Sequence, residues 1–321
     1  MEINLSGNDR LKNFPVMMYA IVMGLSGLTI TYQKAHLWLG IPEIIGTIFM
    51  YLTSIVFIGV TVIYLNKFIK FKDSVKKEFS HPVRINFFAA ISISMLMLAI
   101  IYKETNPTLS AIVWYPGTLL HLYLTMYTIS FWINHNQELN HSNPAWFIPI
   151  VGNLLVPVAG VGFVSNGILL YFFSVGMFFW IILFAIIFNR IIFHDQLAGK
   201  FMPTLFIIIA PPAVGFISYY KMFGTLDVFA TVLFNLAIFF TFLVAFMYKN
   251  FLKIKFFISW WAFVFPVAAM AISTMLMYHI SENSILLVAS YLMIAVTTII
   301  VGVVLYHTLK NINNRLICIK E

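Results

Sequence analysis

The chain has 321 residues, of which 61% are hydrophobic and 9% are charged, and its mean hydropathy is +0.94. This composition excludes an ordinary soluble domain, in which about a quarter of the residues are charged. The formal net charge of +8 could suggest nucleic-acid binding, but the positions of the basic residues favour the surface of a membrane, and we expect no nucleic-acid partner.

Ten apolar segments follow one another along the chain, and most are near the ~20 residues that a helix needs to cross a lipid bilayer. They are roughly 14–32, 43–66, 85–102, 110–133, 144–163, 168–192, 203–219, 226–248, 258–279 and 284–308. We therefore predict an all-α integral membrane protein with ten transmembrane helices. Residues 1–321 are expected to form a single transmembrane domain, multi-pass in the plasma or inner membrane.

The basic residues divide unequally between the two sides of this topology. Sixteen of the nineteen lysines and arginines fall on the side that holds the N-terminus, and only Lys34, Lys103 and Lys221 fall on the other. Basic residues favour the cytoplasmic side, so both termini are predicted to be cytoplasmic. Residues 67–84 form the longest cytoplasmic loop, with Glu78 inside it, and we interpret its lysines as anchors for anionic lipid headgroups.

The odd-numbered spans share a leading proline. Pro15, Pro82, Pro144 and Pro203 recur at intervals of roughly 60 residues, and a further step of that size reaches Ser259, where the ninth span begins without one. Proline suits a first helical turn, whose N–H groups have no helical partner. The period indicates five copies of a helical hairpin.

The two helices of each hairpin differ in composition. Odd spans carry small residues and helix breakers, whereas even spans are dominated by bulky residues such as those at 171–173. Bulky apolar faces suit lipid, and small or broken faces suit close packing or a lumen. We predict an inner ring of odd helices around a pore and an outer ring of even helices. Tight helix packing alone explains the same residues, and the sequence leaves that alternative open.

The ninth span places a large ring beside a helix breaker. Phe265 precedes Pro266, and the small residues Ala268, Ala269 and Ala271 follow. A proline within a helix removes a backbone hydrogen bond and bends the helix. A phenylalanine at such a bend, next to a small-residue face, is the arrangement that a plugged pore needs. The alternative is a proline-kinked helix packed among its neighbours.

Charged side chains are almost absent from the spans, although such charges mark coupling sites in pumps and carriers. Arg84 lies at the cytoplasmic start of the third span. His121 lies in the middle of an even helix, and we interpret it as a hydrogen-bonded structural residue. The pattern favours a passive conduit with a neutral, apolar lumen and a positive cytoplasmic mouth, closed by occlusion and dewetting at a phenylalanine.

Other chemistries do not fit the motifs. His135, Glu138 and His141 lie in a polar loop, and their spacing does not match a helical zinc-ligand pair. The single cysteine, Cys318, excludes an internal disulfide. The sequence contains no Gly-rich phosphate loop and no nucleophile elbow. We therefore predict no enzymatic activity, no metal site and no cofactor.

Four motifs, taken in order, resemble one transporter family. They are FP at 14–15 with GLSGL at 24–28, HPVRINFF at 81–88, NP at 143–144 with VGN at 151–153, and WWAFVFP at 260–266. In their order and spacing they resemble the tellurite-resistance/C4-dicarboxylate transporter family, which includes plant slow-type anion channels, yeast malate permeases and sulfite efflux pumps. The likeness runs from about Phe14 to Leu309.

The resemblance implies a homotrimer in which each protomer has its own pore of five inner helices. It implies that Phe265 is the pore gate and that the pore helices are kinked at Gly24, Pro157, Gly215 and Pro266. The position of Arg84 at the cytoplasmic start of the third span places it at the cytoplasmic pore mouth. The third span has no glycine or proline in its middle, so a bend is not implied there.

The function that follows is a gated anion channel or facilitator. The expected substrates are small anions of the chloride, nitrate, dicarboxylate or sulfite type. The alternative is a proton-coupled carrier of C4-dicarboxylates such as malate, or a sulfite or tellurite exporter. Apart from further copies of the chain, the lipid bilayer is the only other expected partner.

Overall fold

A computed structural model of the chain describes residues 7–319, and within these residues the only β-type pairing is an isolated bridge between Val161 and Val164. The all-α prediction is confirmed. The α-helices are α1 (Gly7–Lys12), α2 (Tyr19–Leu39), α3 (Glu43–Lys70), α4 (Lys72–Phe79), α5 (Ala89–Tyr102), α6 (Pro107–Asn134), α7 (Ile148–Gly160), α8 (Asn166–Phe193), α9 (Ala210–Phe223), α10 (Val228–Phe246), α11 (Val264–Ser281) and α12 (Ser284–Asn313).

A 3₁₀ stretch runs directly into each of five helices. Val16–Met18 precedes α2, Arg84–Phe88 precedes α5, Pro144–Phe147 precedes α7, Met202–Ile209 precedes α9 and Ile258–Phe263 precedes α11. Two further 3₁₀ turns, Leu139–His141 and Tyr248–Asn250, lie in connections. The 3₁₀ helix is the tighter form, with i→i+3 hydrogen bonds. The repeat read from the leading prolines thus coincides with a repeated change of helix type.

Each 3₁₀ stretch together with its helix forms one of five buried segments. They are Val16–Leu39, Arg84–Tyr102, Pro144–Gly160, Met202–Phe223 and Ile258–Ser281. In the four longer ones, 78–83% of the most apolar stretch is buried, whereas only 22–33% is buried in α3, α8, α10 and α12. With α6, those four form the peripheral helices, whose exposed side chains include Ile55, Leu119 and Phe242.

The buried segments contact one another in a closed cycle. Helix α2 packs against α5, α5 against α7, α7 against α9, α9 against α11, and α11 returns to α2. Each peripheral helix packs against the buried helix that precedes it in the chain. Small residues on the buried helices permit this close packing, because they let helix backbones approach.

Local sequence explains how the chain turns at the ends of α2 and α9. Gly40 and Gly224 end these helices with φ of +72° and +67°, a left-handed conformation that glycine adopts without a Cβ penalty. Side chains cap the starts of α6 and α10. The Asn106 side-chain oxygen accepts from Leu109 N–H at 3.0 Å, and the Asp227 carboxylate accepts from Ala230 N–H at 2.9 Å.

Eight of the segments within residues 7–319 are long and apolar enough to cross a membrane. Helix α6 is not among them although it has 28 residues, and Pro144–Gly160 is apolar but shorter. Each of the ten predicted spans overlaps one buried segment or one peripheral helix. A multi-pass membrane protein is confirmed, and the crossing of all ten segments stays a prediction.

Candidate functional site

Phe265 lies where the fifth buried segment changes from 3₁₀ to α-helix. It is the second residue of α11 and is 9% exposed. Pro266, the third residue, therefore lies at the junction rather than in a helix interior as the sequence suggested. The hydrogen-bond pattern changes there, so a residue without an N–H is accommodated. A bend at Pro266 stays a prediction.

Two cavities lie among the buried segments. We call the one near the 3₁₀ stretches the proximal cavity and the other the distal cavity. All five segments contribute to both walls: Met23, Ile93, Val151, Ile207 and Pro266 line the proximal cavity, and Ile30, Ile100, Val158, Ile217 and Ile272 line the distal cavity. In each segment the proximal residue comes first in the chain, so the five segments run parallel.

Two residues line both cavities. Phe265 from α11 and Leu155 from α7 are the side chains common to the two walls, and both are buried. The predicted gate residue therefore lies between two spaces that are enclosed by the same five segments. Leu155 was not predicted, because one leucine in an apolar helix carries no sequence pattern that distinguishes it.

The described lining residues of the two cavities carry no formal charge, and the distal lining has no polar side chain. The proximal lining includes Thr204 and Ser259. Their hydroxyls donate to the carbonyls of Phe201 and Lys200, each at 2.6 Å. Because those protons are already engaged, neither hydroxyl offers a donor to an anion in the cavity.

Gly24 and Gly27 bring α2 against the segment that carries Phe265. A Cβ at Gly24 would lie 2.6 Å from Cε3 of Trp261. A Cβ at Gly27 would lie 2.8 Å from Cβ of Ala268 and 3.8 Å from Cδ2 of Phe265. These distances give both glycines a packing role. The kink predicted at Gly24 stays a prediction.

The other predicted kink residues occupy different helices. Pro157 lies inside α7, near its end, and Gly215 lies near the middle of α9. A Cβ at Gly215 would be 3.4 Å from Sδ of Met177, which is an ordinary contact distance. The packing around Gly215 therefore does not require a glycine, and bends at both positions stay predictions.

Positive groups gather at the proximal end. Arg84 is the first residue of the 3₁₀ stretch before α5 and is half-buried. His81 Nδ1 accepts from the N–H groups of Val83 and Arg84 at 3.1 and 3.3 Å. Burial lowers the pKa of His81, and the charges of Arg84, His141 and Lys200 lower it further. Arg84 thus belongs to a group of basic residues beside the proximal ends of the buried segments.

His121 lies on α6, outside the cycle of buried helices, yet its side chain is fully buried. Its Nδ1 lies 2.9 Å from Oγ of Ser92 on α5, and its ring packs on Gly152 of α7. His121 therefore joins three helices and does not line either cavity. This contact agrees with the structural role that we assigned to it.

The polar loop after α6 carries His135, Glu138 and His141. His141 Nε2 lies 3.9 Å from the Glu138 carboxylate, and that carboxylate is mostly exposed. Across residues 7–319, no three His, Cys, Asp or Glu side chains are grouped so that they could hold a metal ion.

The interpretation of the lysines of the loop 67–84 as lipid anchors was wrong at Lys67. Lys67 lies in the last turn of α3 and Glu78 lies on α4, and their side chains, each 4% exposed, form an ion pair of 2.5 Å. Glu78 also accepts from Val16 N–H at 2.7 Å and from Tyr64 O–H at 3.1 Å, while Lys67 donates to the Phe14 carbonyl. Lys67 therefore forms a buried ion pair with Glu78 beside the start of the first buried segment and is unavailable to lipid headgroups.

The family model for voltage-dependent anion channels matches residues 13–309. The chain belongs to this family. The family therefore covers all five buried segments and both cavities, and the predicted resemblance is confirmed.

The relatives that the chain resembles carry different names: an anion channel, an uncharacterized transporter and a tellurite resistance protein homolog. The chain is 28% identical over 272 residues to the S-type anion channel SLAH2 of Arabidopsis thaliana, covering 82% of this chain and 52% of the relative. It is 27% identical to an uncharacterized transporter of Methanocaldococcus jannaschii, covering 84% and 86%. It is 24% identical to a tellurite resistance protein TehA homolog of Haemophilus influenzae, covering 83% and 81%. The chain thus spans about half the length of the first plant channel.

Proposed function

We propose that the chain forms a gated, uncoupled conduit for small anions, with chloride and nitrate as the expected substrates. The observation that carries the proposal is the position of Phe265 on the walls of two cavities that are lined by the same five segments. A ring at that position closes an apolar passage by occlusion and by excluding water.

In this proposal ten segments cross the bilayer as five repeated hairpins, with both termini in the cytoplasm of a plasma or inner membrane. The excess of basic residues on one side supports the orientation. Near the two ends of the chain, Arg10 Nη2 donates to the Arg315 carbonyl at 3.3 Å, which supports their lying on the same side. The proximal cavity then faces the cytoplasm.

Selectivity in this conduit is weak and follows the cost of dehydration. The described walls offer an anion no charge and no free hydroxyl proton, so nothing replaces its hydration shell. The parallel N-termini of the buried segments and the basic groups near Arg84 raise the anion concentration at the proximal mouth. Anions that lose water easily, such as nitrate, are expected to pass better than chloride.

The alternative is a proton-coupled carrier for dicarboxylates, or an exporter of sulfite or tellurite. The Haemophilus influenzae relative is named for tellurite resistance, which supports an exporter as the alternative function. A coupled carrier needs a titratable group on the pathway, and the described lining residues of the cavities include none. We also expect a homotrimer with a separate pathway in each protomer, consistent with the apolar faces of the peripheral helices.

Proteoliposome flux separates these functions. Purified protein is reconstituted, and chloride and nitrate flux is measured with and without an imposed pH gradient at a fixed membrane potential. Uncoupled flux, faster for nitrate and unchanged by the pH gradient, supports the conduit. Flux that requires the gradient, or transport limited to malate, sulfite or tellurite, refutes it.

A further inference from the structure

Three lysines mark the distal end of the buried segments. Lys34 lies in the last turns of α2, Lys103 directly follows α5, and Lys221 lies in the last turn of α9. They are the same three basic residues that the sequence places on the side opposite the termini.

Helical register connects these lysines to the distal cavity. Three isoleucines on its wall, one on each of α2, α5 and α9, are each followed by a lysine three or four positions later. The pairs are Ile30 and Lys34, Ile100 and Lys103, and Ile217 and Lys221. Residues at this spacing share a helix face. The lysines therefore stand about one turn beyond the cavity, on the side of each helix that faces it.

One carboxylate lies among the three lysines. Lys34 Nζ is 3.3 Å from the Glu104 carboxylate; the Lys34 side chain is 11% exposed and that of Glu104 is 59% exposed. The pKa of Glu104 is held below its ordinary value chiefly by Lys34, with Lys221 and Lys103 contributing. Three cations with one carboxylate leave this group positively charged.

Lys103 also contacts the end of α7. Its Nζ donates to the carbonyl of Val161, the residue after the helix, at 2.9 Å, and lies 3.3 Å from the ring centroid of Phe163. Lys103 therefore partly neutralises the C-terminus of a fourth buried helix and is held there by a cation–π contact.

Because the buried segments run parallel, an anion that enters from the distal side meets helix C-termini and needs positive charges there to offset them. Each helix C-terminus carries a partial charge equivalent to about −0.5 of an elementary charge. Five buried helices end together at the distal side, so their carbonyl ends oppose an anion there. At the proximal side the N-termini have the favourable sign.

We propose that Lys34, Lys103 and Lys221 form a distal anion-attracting ring, which offsets the field of the helix C-termini and admits small inorganic anions from that side. This inference rests on the proposed function and extends it to a second mouth. Glu104 limits the ring by offsetting part of its charge. The conduit thus has a basic group at each end and an uncharged middle.

The test measures anion influx from each side of oriented planar bilayers at low salt. Each variant is made both in the wild-type protein and in the Phe265→Ala protein. We expect Lys221→Glu to reduce distal influx by about two- to fivefold, the range for one or two unit charges acting through water. Glu104→Gln is expected to raise distal influx. Proximal influx should change less, and both effects should fade near 1 M salt, where the Debye length is about 3 Å. Lys76→Gln, at an exposed position on α4, is the matched control.

The opposite signs expected for Glu104→Gln and Lys221→Glu separate an electrostatic effect from loss of structure. If the two variants change distal influx in the same direction, or not at all, while wild type or Phe265→Ala conducts, the ring is refuted and the conduit stands. If neither wild type nor Phe265→Ala passes any anion, the conduit is refuted and the ring with it.

Discussion

Phe265 of α11 and Leu155 of α7 both line the proximal and the distal cavity. The two side chains come from helices that are not consecutive in the cycle, because α9 lies between α7 and α11 and packs against both. In the proposed conduit these two side chains form the barrier, and its height should respond differently to the loss of each one because their sizes differ.

The first prediction concerns this barrier. We expect Phe265→Ala to raise basal anion flux at least about tenfold, which corresponds to a barrier lower by about 1.4 kcal/mol. Leu155→Ala removes fewer atoms and should raise flux less. Phe265 borders two cavities, so its removal should cost about 3 kcal/mol of stability, the low end for this substitution.

Single-channel or ensemble recording of reconstituted protein measures the effect, with Phe265→Trp as the size control. Membrane insertion is checked in each sample. A Phe265→Ala protein that inserts normally and stays as silent as wild type contradicts the gate.

The second prediction concerns Arg84. Arg84→Ala should lower anion influx from the proximal side by about two- to fivefold at low salt, since one unit charge in water contributes about 0.5–1 kcal/mol at short range. Arg84→Lys keeps the charge and should retain most of the flux. Conductance measured over a range of salt concentrations tests this. Curves that superimpose for wild type and Arg84→Ala would show that the Arg84 charge does not raise anion influx.

The third prediction concerns the buried ion pair. Lys67→Met or Glu78→Gln alone leaves an uncompensated buried group and should cost about 3–5 kcal/mol. The double variant should cost clearly less than the sum. Unfolding in mixed micelles measures these energies, with the exposed Lys77→Met on α4 as control. Additive losses would show that the two side chains do not stabilise each other.

The fourth prediction concerns pH. Because the folded-state pKa of His81 is lowered, its contribution to stability is present above the ordinary value of about 6.5 and is lost as pH falls through the folded value. A protonated Nδ1 no longer accepts from Val83 and Arg84. Wild type should therefore lose more thermal stability between neutral and acidic pH than His81→Asn, whose amide oxygen still accepts. Parallel pH curves for the two proteins would exclude this contribution.

The sequence predicted the helices and the family, because hydropathy, leading prolines and small residues are local patterns. It also placed Phe265 beside a break, although the structure puts that break at a change from 3₁₀ to α-helix. It did not identify Leu155 as a wall residue of both cavities, since that depends on how α7 packs. The interpretation of Lys67 was wrong because Phe71 separates two helices, and only the turn between them brings Lys67 to Glu78.

The contact between Glu78 and Val16 N–H also bears on how the protein is made. Sixty-two positions separate these residues in the chain. During synthesis the first buried segment leaves the ribosome well before Glu78 does. The Val16 N–H therefore lacks its carboxylate partner until Glu78 has been translated. The opening hairpin therefore completes this contact only after the start of the next repeat has been synthesised.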